Sequence, residues 1–231
     1  MNKERKLLVQ RLGLIDYQTG LALQKEIEQA VKLRTQPDTL LLLEHPHTLT
    51  IGRRGDSSAV LLDAGQLQQR NVTVFETNRG GKVTYHGLGQ LVGYPIVNLS
   101  PDREDVHRYM RDLEEVLIRA VSDFGVEAFR IDGLTGVYTA RGKIAAIGVH
   151  ISRWVTTHGF ALNVNTDLGY FDFIIACEGE PVTSMEQLLG SETQLSEVED
   201  RIVARFAEVF SMRVEMIADF RLSIADLVEP A

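Results

Sequence analysis

Cys177 and Lys143 are the pair in this chain whose residue types best suit nucleophilic chemistry. Cys177 follows the apolar run Ile174-Ile175-Ala176. A cysteine attacks as its thiolate, and a thiolate needs a cation close in space to hold its charge. Lys143, within Gly142-Lys143-Ile144-Ala145-Ala146-Ile147-Gly148, is a candidate for that cation. A lysine beside buried backbone acts as a base when its pKa is lowered, and stabilises a nearby anion when it stays charged. No Asp or Glu occurs in the twenty residues after Lys143, so no local ion pair accounts for it. Taken singly, each residue also has a plain reading. Cys177 suits an inert core thiol, Lys143 suits an edge lysine reaching into solvent, and spacing alone does not join them.

A second constellation runs from Arg79 to Gln90, Arg79-Gly80-Gly81-Lys82-Val83-Thr84-Tyr85-His86-Gly87-Leu88-Gly89-Gln90. Its glycines let the backbone approach a ligand or take positive φ. Arg79, Lys82, Thr84, Tyr85 and His86 put donors and an imidazole beside that backbone. The spacing fits neither a phosphate loop nor a dinucleotide fingerprint. A glycine-rich hairpin with an exposed basic tip remains the simpler alternative. The histidines do not suggest a metal site: His45 and His47 flank Pro46, while His86, His150 and His158 are scattered, and one cysteine cannot complete a usual zinc set. No G-x-S-x-G occurs to support a serine triad. Neither a metal nor a cofactor is expected.

The elements that would position these residues follow from periodicity. Strands are expected at 6–12, 38–44, 48–51, 72–77, 91–99, 136–138, 143–151 and 157–163. A helix over 17–32 takes Asp16 as N-cap and places Tyr17, Leu21, Ile27 and Val31 roughly on one face. Ser100-Pro101-Asp102 reads as the start of a long helix with Val106, Met110, Leu113, Leu117, Ala120 and Phe124 as its apolar stripe. Ser196 to Glu199 reads as a capping box ahead of a last helix with Val198, Ile202, Phe206, Val209 and Phe210 facing inward. Grouped strands and helices predict an α+β fold with a mixed or antiparallel sheet flanked by helices. The whole chain, 1–231, is expected to form a single catalytic domain.

Composition narrows the class. The hydrophobic share of 44% and charged share of 24% suit a soluble globular protein. The start MNKERKLLVQRL forms no signal-peptide core, and the longest apolar runs are too short to span a bilayer. The single cysteine permits no intrachain disulfide. A cytoplasmic protein without membrane attachment is therefore expected. Net charge is −8, which argues against nucleic-acid binding. The acids are concentrated after residue 175. Thr77 to Pro101 and Gly133 to Thr166 carry cations and no Asp or Glu, so they suit contact with an acidic partner.

Together these segments resemble the lipoyl(octanoyl) transferase family. The resemblance runs from Leu41 to Gly190. Its most specific element is the pattern R-G-G-x-x-T-Y-H-G-x-G-Q at Arg79 to Gln90, followed by Tyr94. Glu44-His45-Pro46, Thr48, Gly52-Arg53, Lys143 to Gly148, His158-Gly159-Phe160-Ala161-Leu162-Asn163, Cys177 and Thr183-Ser184 support it in order. The resemblance implies the fold shared by biotin and lipoate protein ligases. It implies transfer of an octanoyl group from acyl carrier protein to a specific lysine of apo lipoyl domains, such as those of 2-oxoacid dehydrogenases and the glycine cleavage H protein. It implies Cys177 as the acyl-thioester nucleophile and Lys143 as its partner. Arg79 to His86, Ala146 to Gly148 and Gly159 to Ala161 become acyl-binding residues, with no nucleotide or other cofactor, and a monomer is expected.

The segment around the nucleophile departs from the family pattern. Ala176 and Glu178 replace the usual proline and glycine, the stretch to Thr183 is about two residues short, and Leu88 replaces a frequent proline. Glu178 is expected to face solvent, since an inward carboxylate would raise the thiol pKa. The alternatives are an ATP-dependent lipoate or biotin ligase, an amidotransferase moving octanoyl between lipoyl-bearing proteins, and a non-catalytic module that grips the carrier proteins.

Overall fold

The computed structural model describes residues 5–175 and 180–216. Cys177, with Ala176, Glu178 and Gly179, lies outside the described residues, as does the expected outward orientation of Glu178. Along the chain come β1 (Arg5–Leu14), α1 (Tyr17–Lys32), β2 (Asp38–Glu44), β3 (Thr48–Ile51), α2 (Ala64–Gln69), β4 (Thr73–Glu76), β5 (Val83–His86), β6 (Gln90–Ile96) and α3 (Val106–Ser122). Then follow β7 (Val137–Thr139), β8 (Gly142–Ser152), β9 (Val155–Asn163), a 3-10 turn at Leu168–Phe173, α4 (Met185–Leu189), α5 (Leu195–Phe210) and β10 (Met212–Met216). A mixed sheet has the order β10-β1-β2-β6-β9-β8-β7, and a smaller mixed sheet the order β4-β3-β5. This is the α+β arrangement expected from the grouping of elements. Among the described residues no helix is long and apolar enough to cross a membrane.

The run Leu40 to Leu43 shows why the large sheet is covered twice. Leu40 and Leu42 join the cluster with Leu113 and Leu117 of α3 and Phe206 of α5. Leu41 and Leu43 join Ile27 and Val31 of α1 on the other face. Alternate side chains of a strand point to opposite faces, so a continuous apolar run needs cover on both. All four leucines are buried, and truncating Leu42 to Ala would cost about 2–5 kcal/mol. The buried face of α1 is Tyr17, Gly20, Gln24, Ile27 and Val31; Leu21, expected on it, is only partly buried.

Several boundaries differ from the sequence expectations. The long helix starts at Val106, not near Ser100, because the Asp105 carboxylate accepts the Arg108 N–H at 3.0 Å and caps it there. It ends at Ser122, so Phe124 packs on the core from beyond the helix. Ser196 does not cap α5. The helix begins at Leu195, where the Gln194 carbonyl already accepts from Glu197 N and Val198 N, leaving Ser196 inside the first turn. The elements β5, α2 and β10 carry no clear periodic signal. The Arg79–Gln90 stretch is not a hairpin: β5 pairs with β3 in the small sheet, and β6 pairs with β2 and β9 in the large one. Gly89, at φ +75, makes the crossing, since a side chain there would meet the Asn165 carbonyl at 2.3 Å.

Candidate active site

The Arg79–Lys82 loop is laid onto the backbone of two neighbours. The N–H groups of Gly52, Arg53 and Arg54 donate to the carbonyls of Lys82, Arg79 and Gly81. On the other side Gly80 N–H donates to the Val149 carbonyl of β8 at 2.9 Å. The close approach depends on Gly148, where an added Cβ would lie 2.8 Å from the Gly80 carbonyl oxygen. The space left by the missing side chain is taken by the loop backbone. Arg79 is not an exposed tip. It is 7% exposed, and its guanidinium donates to the Thr50 hydroxyl at 2.8 and 3.2 Å and to the Gly80 carbonyl at 2.9 Å.

Between this loop and the large sheet lies a cavity of about 620 Å³. Arg79, Gly80, Gly81, Lys82, Val83, Thr84 and His86 line it from one side. Ala146, Ile147 and Gly148 of β8, with Gly159, Phe160 and Ala161 of β9, line it from another, together with Lys143. Lys143 and Val149 both border it, so it follows β8 for about 20 Å at the rise of an extended strand. The Tyr85 side chain is not among the lining groups. Strand alternation turns it the other way, where it stacks on Tyr170 at 4.9 Å and its hydroxyl meets His47 Nδ1 at 2.8 Å. Sequence reasoning gave no site role to Val106, Met110 and Arg111 of α3, or to Tyr17, Gln90, Asn163 and Glu180, all of which line the cavity.

Lys143 has an ion-pair partner after all, supplied from a distant part of the chain. Its Nζ lies 3.2 Å from the Glu180 carboxylate and 5.0 Å over the Tyr138 ring. The contact lacks hydrogen-bond alignment, because Glu180 Oε2 is buried without a hydrogen-bond partner. The returning segment is fixed by backbone bonds: Lys143 N–H donates to Pro181 O at 2.8 Å, and Thr183 N–H to Lys143 O at 3.0 Å. On the near side of residues 176–179, Ile175 N–H donates to Ala59 O at 2.8 Å.

Three histidines distant in the sequence, His45, His86 and His158, gather in the fold. His45 and His86 ring centres are 5.9 Å apart, and His158 packs edge-on to Tyr94 at 6.3 Å. Burial lowers His45 and His158 to about 4 and His86 to about 3, so all stay neutral near pH 7. Burial likewise raises Tyr17 to about 12 and Tyr94 above its ordinary range. The His45 Nδ1–H donates to the Ile15 carbonyl at 2.8 Å, and Nε2 accepts from the Tyr94 hydroxyl at 2.7 Å. Among the described residues no group of three or more His, Cys, Asp and Glu side chains is arranged to hold a metal. The arrangement is a long slot with an aliphatic and glycine wall, a buried guanidinium near one part and an amine–carboxylate pair near another. It can seat an acyl chain and hold charge beside its reacting end.

Residues 16–207 match the family model described as the lipoyl protein ligase A/B catalytic domain. An octanoyltransferase of Solibacter usitatus is 48% identical over 222 residues, covering 96% of this chain and 100% of the relative. Among solved structures, lipoate-protein ligase A bound with ATP superposes with a TM-score of 0.73 at 17% identity, over 94% of this chain and 90% of the other. The biotin protein ligase of Aquifex aeolicus gives 0.51 at 14% identity, over 90% and 70%. At such identities the two structures speak to the fold, which is that of the lipoate and biotin protein ligases.

Proposed function

Because the chain belongs to the lipoyl protein ligase A/B catalytic-domain family, and within it to the octanoyltransferases, we propose that it moves an octanoyl group from acyl carrier protein to a lysine of apo lipoyl domains, through a thioester on Cys177, as one catalytic domain. The observation that carries this reading is the Lys143–Glu180 pair at the wall of an acyl-sized slot. Cys177 stands three residues before Glu180, and that length of chain spans at most about 11 Å. The chain thus tethers Cys177 to the residue that pairs with Lys143, which supports its choice as the nucleophile.

In the proposed first step the Cys177 thiolate forms a bond to the octanoyl carbonyl carbon, and the bond to the donor sulfur breaks. The departing donor thiolate takes a proton from Lys143. One thioester replaces another, so no nucleotide is consumed. In the second step the acceptor lysine arrives protonated, since its ordinary pKa is about 10.4. Neutral Lys143 takes one proton from it, and the freed amine attacks the thioester. The carbon–sulfur bond breaks, the amide forms, and the second proton leaves to solvent. The Cys177 thiolate and Lys143 ammonium are thereby restored. Glu180 holds the Lys143 side chain at the slot between steps. The octanoyl chain lies along Ala146, Ile147, Phe160 and Ala161, which supply an apolar wall.

The fold is also that of a lipoate-protein ligase A bound with ATP, so nucleotide dependence separates transfer from a nucleotide-using ligation. Transfer from octanoyl-acyl carrier protein is expected to proceed without ATP. Lys143→Ala is expected to slow single-turnover transfer by about 10²-fold or more. An absolute requirement for ATP, or unchanged transfer in Lys143→Ala, would overturn the proposed mechanism.

A further inference from the structure

A buried chain of polar side chains crosses from the acyl slot to the segment that carries Glu180, and its direction can be deduced. Backbone carbonyls only accept hydrogen bonds. Asn163 Nδ2 lies 3.0 Å from the Thr183 carbonyl, so the amide nitrogen faces it and Oδ1 faces Gln90. Gln90 Nε2 donates to that Oδ1 at 2.9 Å and to the Tyr85 carbonyl at 3.1 Å. Both N–H groups of Gln90 are then used, and its Oε1 meets His86 Nδ1 at 2.9 Å. An acceptor at that place requires the His86 proton on Nδ1. The free lone pair on Nε2 faces the Thr50 hydroxyl at 3.4 Å, and Thr50 accepts in turn from Arg79. Every bond runs the same way, from Arg79 through Thr50, His86, Gln90 and Asn163 to Thr183. All six residues are buried. The last carbonyl belongs to the residue whose N–H donates to Lys143 O.

We infer that Gln90 and Asn163 are positioning residues: they hold His86 as the Nδ1–H tautomer and lock residues 180–183 onto β8, so that one polarised chain sets both the slot wall at Arg79 and the Lys143–Glu180 pair. This inference rests on the transfer reaction proposed above. It removes His86 from proton transfer, because one ring nitrogen donates to an amide oxygen and the other is held by Thr50. A half-satisfied buried network is costly, so the direction of each bond matters as much as its existence.

Asn163→Asp tests the direction at constant shape. Ionised, the new side chain sets an oxygen against the Thr183 carbonyl; protonated, it donates there as Asn163 does. Arg54, Arg79, Lys82, Arg111, Lys143, His86, His107, His158, Glu114 and Glu180 share the cavity wall with position 163. The five cations favour the ionised form and the two carboxylates the protonated one, while His86 and His158 are neutral. At about pH 8 the kcat of N163D is expected to fall about tenfold or more below wild type, with the KM for donor changed far less. The ratio of variant to wild-type kcat is expected to rise as the pH is lowered to about 6. A role of Asn163 in packing alone would leave that ratio flat. Nitrogen-15 NMR of the unaltered protein reads the His86 tautomer without substrate, and the expected result is a protonated Nδ1 and a bare Nε2. An Nε2–H tautomer, or an N163D variant with the wild-type pH profile, overturns the inference. The tautomer stands independently of the octanoyl reaction, so a failure of that reaction is told apart from a failure of the chain.

Discussion

Acidification should unfold this protein before its carboxylates are exhausted, because three buried histidines refuse protons. In the unfolded chain each histidine titrates near 6.5, whereas the fold lowers His45 and His158 to about 4 and His86 to about 3. Folded values below the unfolded one mean that the stability is intact above about pH 6.5. It is lost as the pH falls, and the loss stops growing below the folded values. At pH 5 the unfolded histidines are nearly all protonated and the folded ones nearly all neutral, which costs about 2 kcal/mol for each relative to pH 7. Together the loss is about 6 kcal/mol, comparable with the whole stability of a marginal domain. Urea unfolding followed by the fluorescence of Trp154, the sole tryptophan and partly packed on the core, measures it at both pH values. His158→Gln should remove about a third of the pH dependence. Equal stability at pH 7 and pH 5, or an unchanged pH dependence in the variant, would refute the reasoning.

Gly148→Ala should cost about 1–3 kcal/mol in urea unfolding and lower transfer activity, since the new Cβ meets the Gly80 carbonyl at 2.8 Å and pushes the Arg79 loop from β8. Glu114→Gln should destabilise the fold by about 2 kcal/mol, because the buried carboxylate accepts from Arg111, Arg130 and the Gly136 N–H. Its thermal midpoint measures this. Glu180→Ala should reduce kcat/KM for transfer by about tenfold through loss of the Lys143 tether, with unfolding by urea little changed.

The parts of the molecule legible in the sequence are those whose signal is local. The Leu40–Leu43 strand forms as expected, and Leu113, Leu117 and Ala120 of the α3 stripe are buried, while Val106 at the helix start is exposed and Phe124 lies past its end. Where two local signals compete, the expectation slips. Ser100-Pro101 suits a helix start, but Asp105 offers its carboxylate to the Arg108 N–H and fixes the start there. The slot-lining segments were legible as ordered motifs, yet their geometry was not. Arg79 reads as an exposed tip because its cover, Thr50 and Gly80 against β8, comes from two other elements. Lys143 reads as lacking a local partner because Glu180 lies 37 residues away in sequence and is brought in by the bridge between Lys143 and Val182. Gln90 and Asn163 are 73 residues apart, and no spacing rule joins them.

The central claim concerns a covalent bond at Cys177, and intact mass measures it most directly. After incubation with octanoyl-acyl carrier protein and no acceptor, the chain is expected to gain the mass of one octanoyl group. Hydroxylamine should remove it, and Cys177→Ser should prevent this labile adduct. Octanoyl transfer to a lipoyl domain by Cys177→Ser at the wild-type rate would contradict the thioester route.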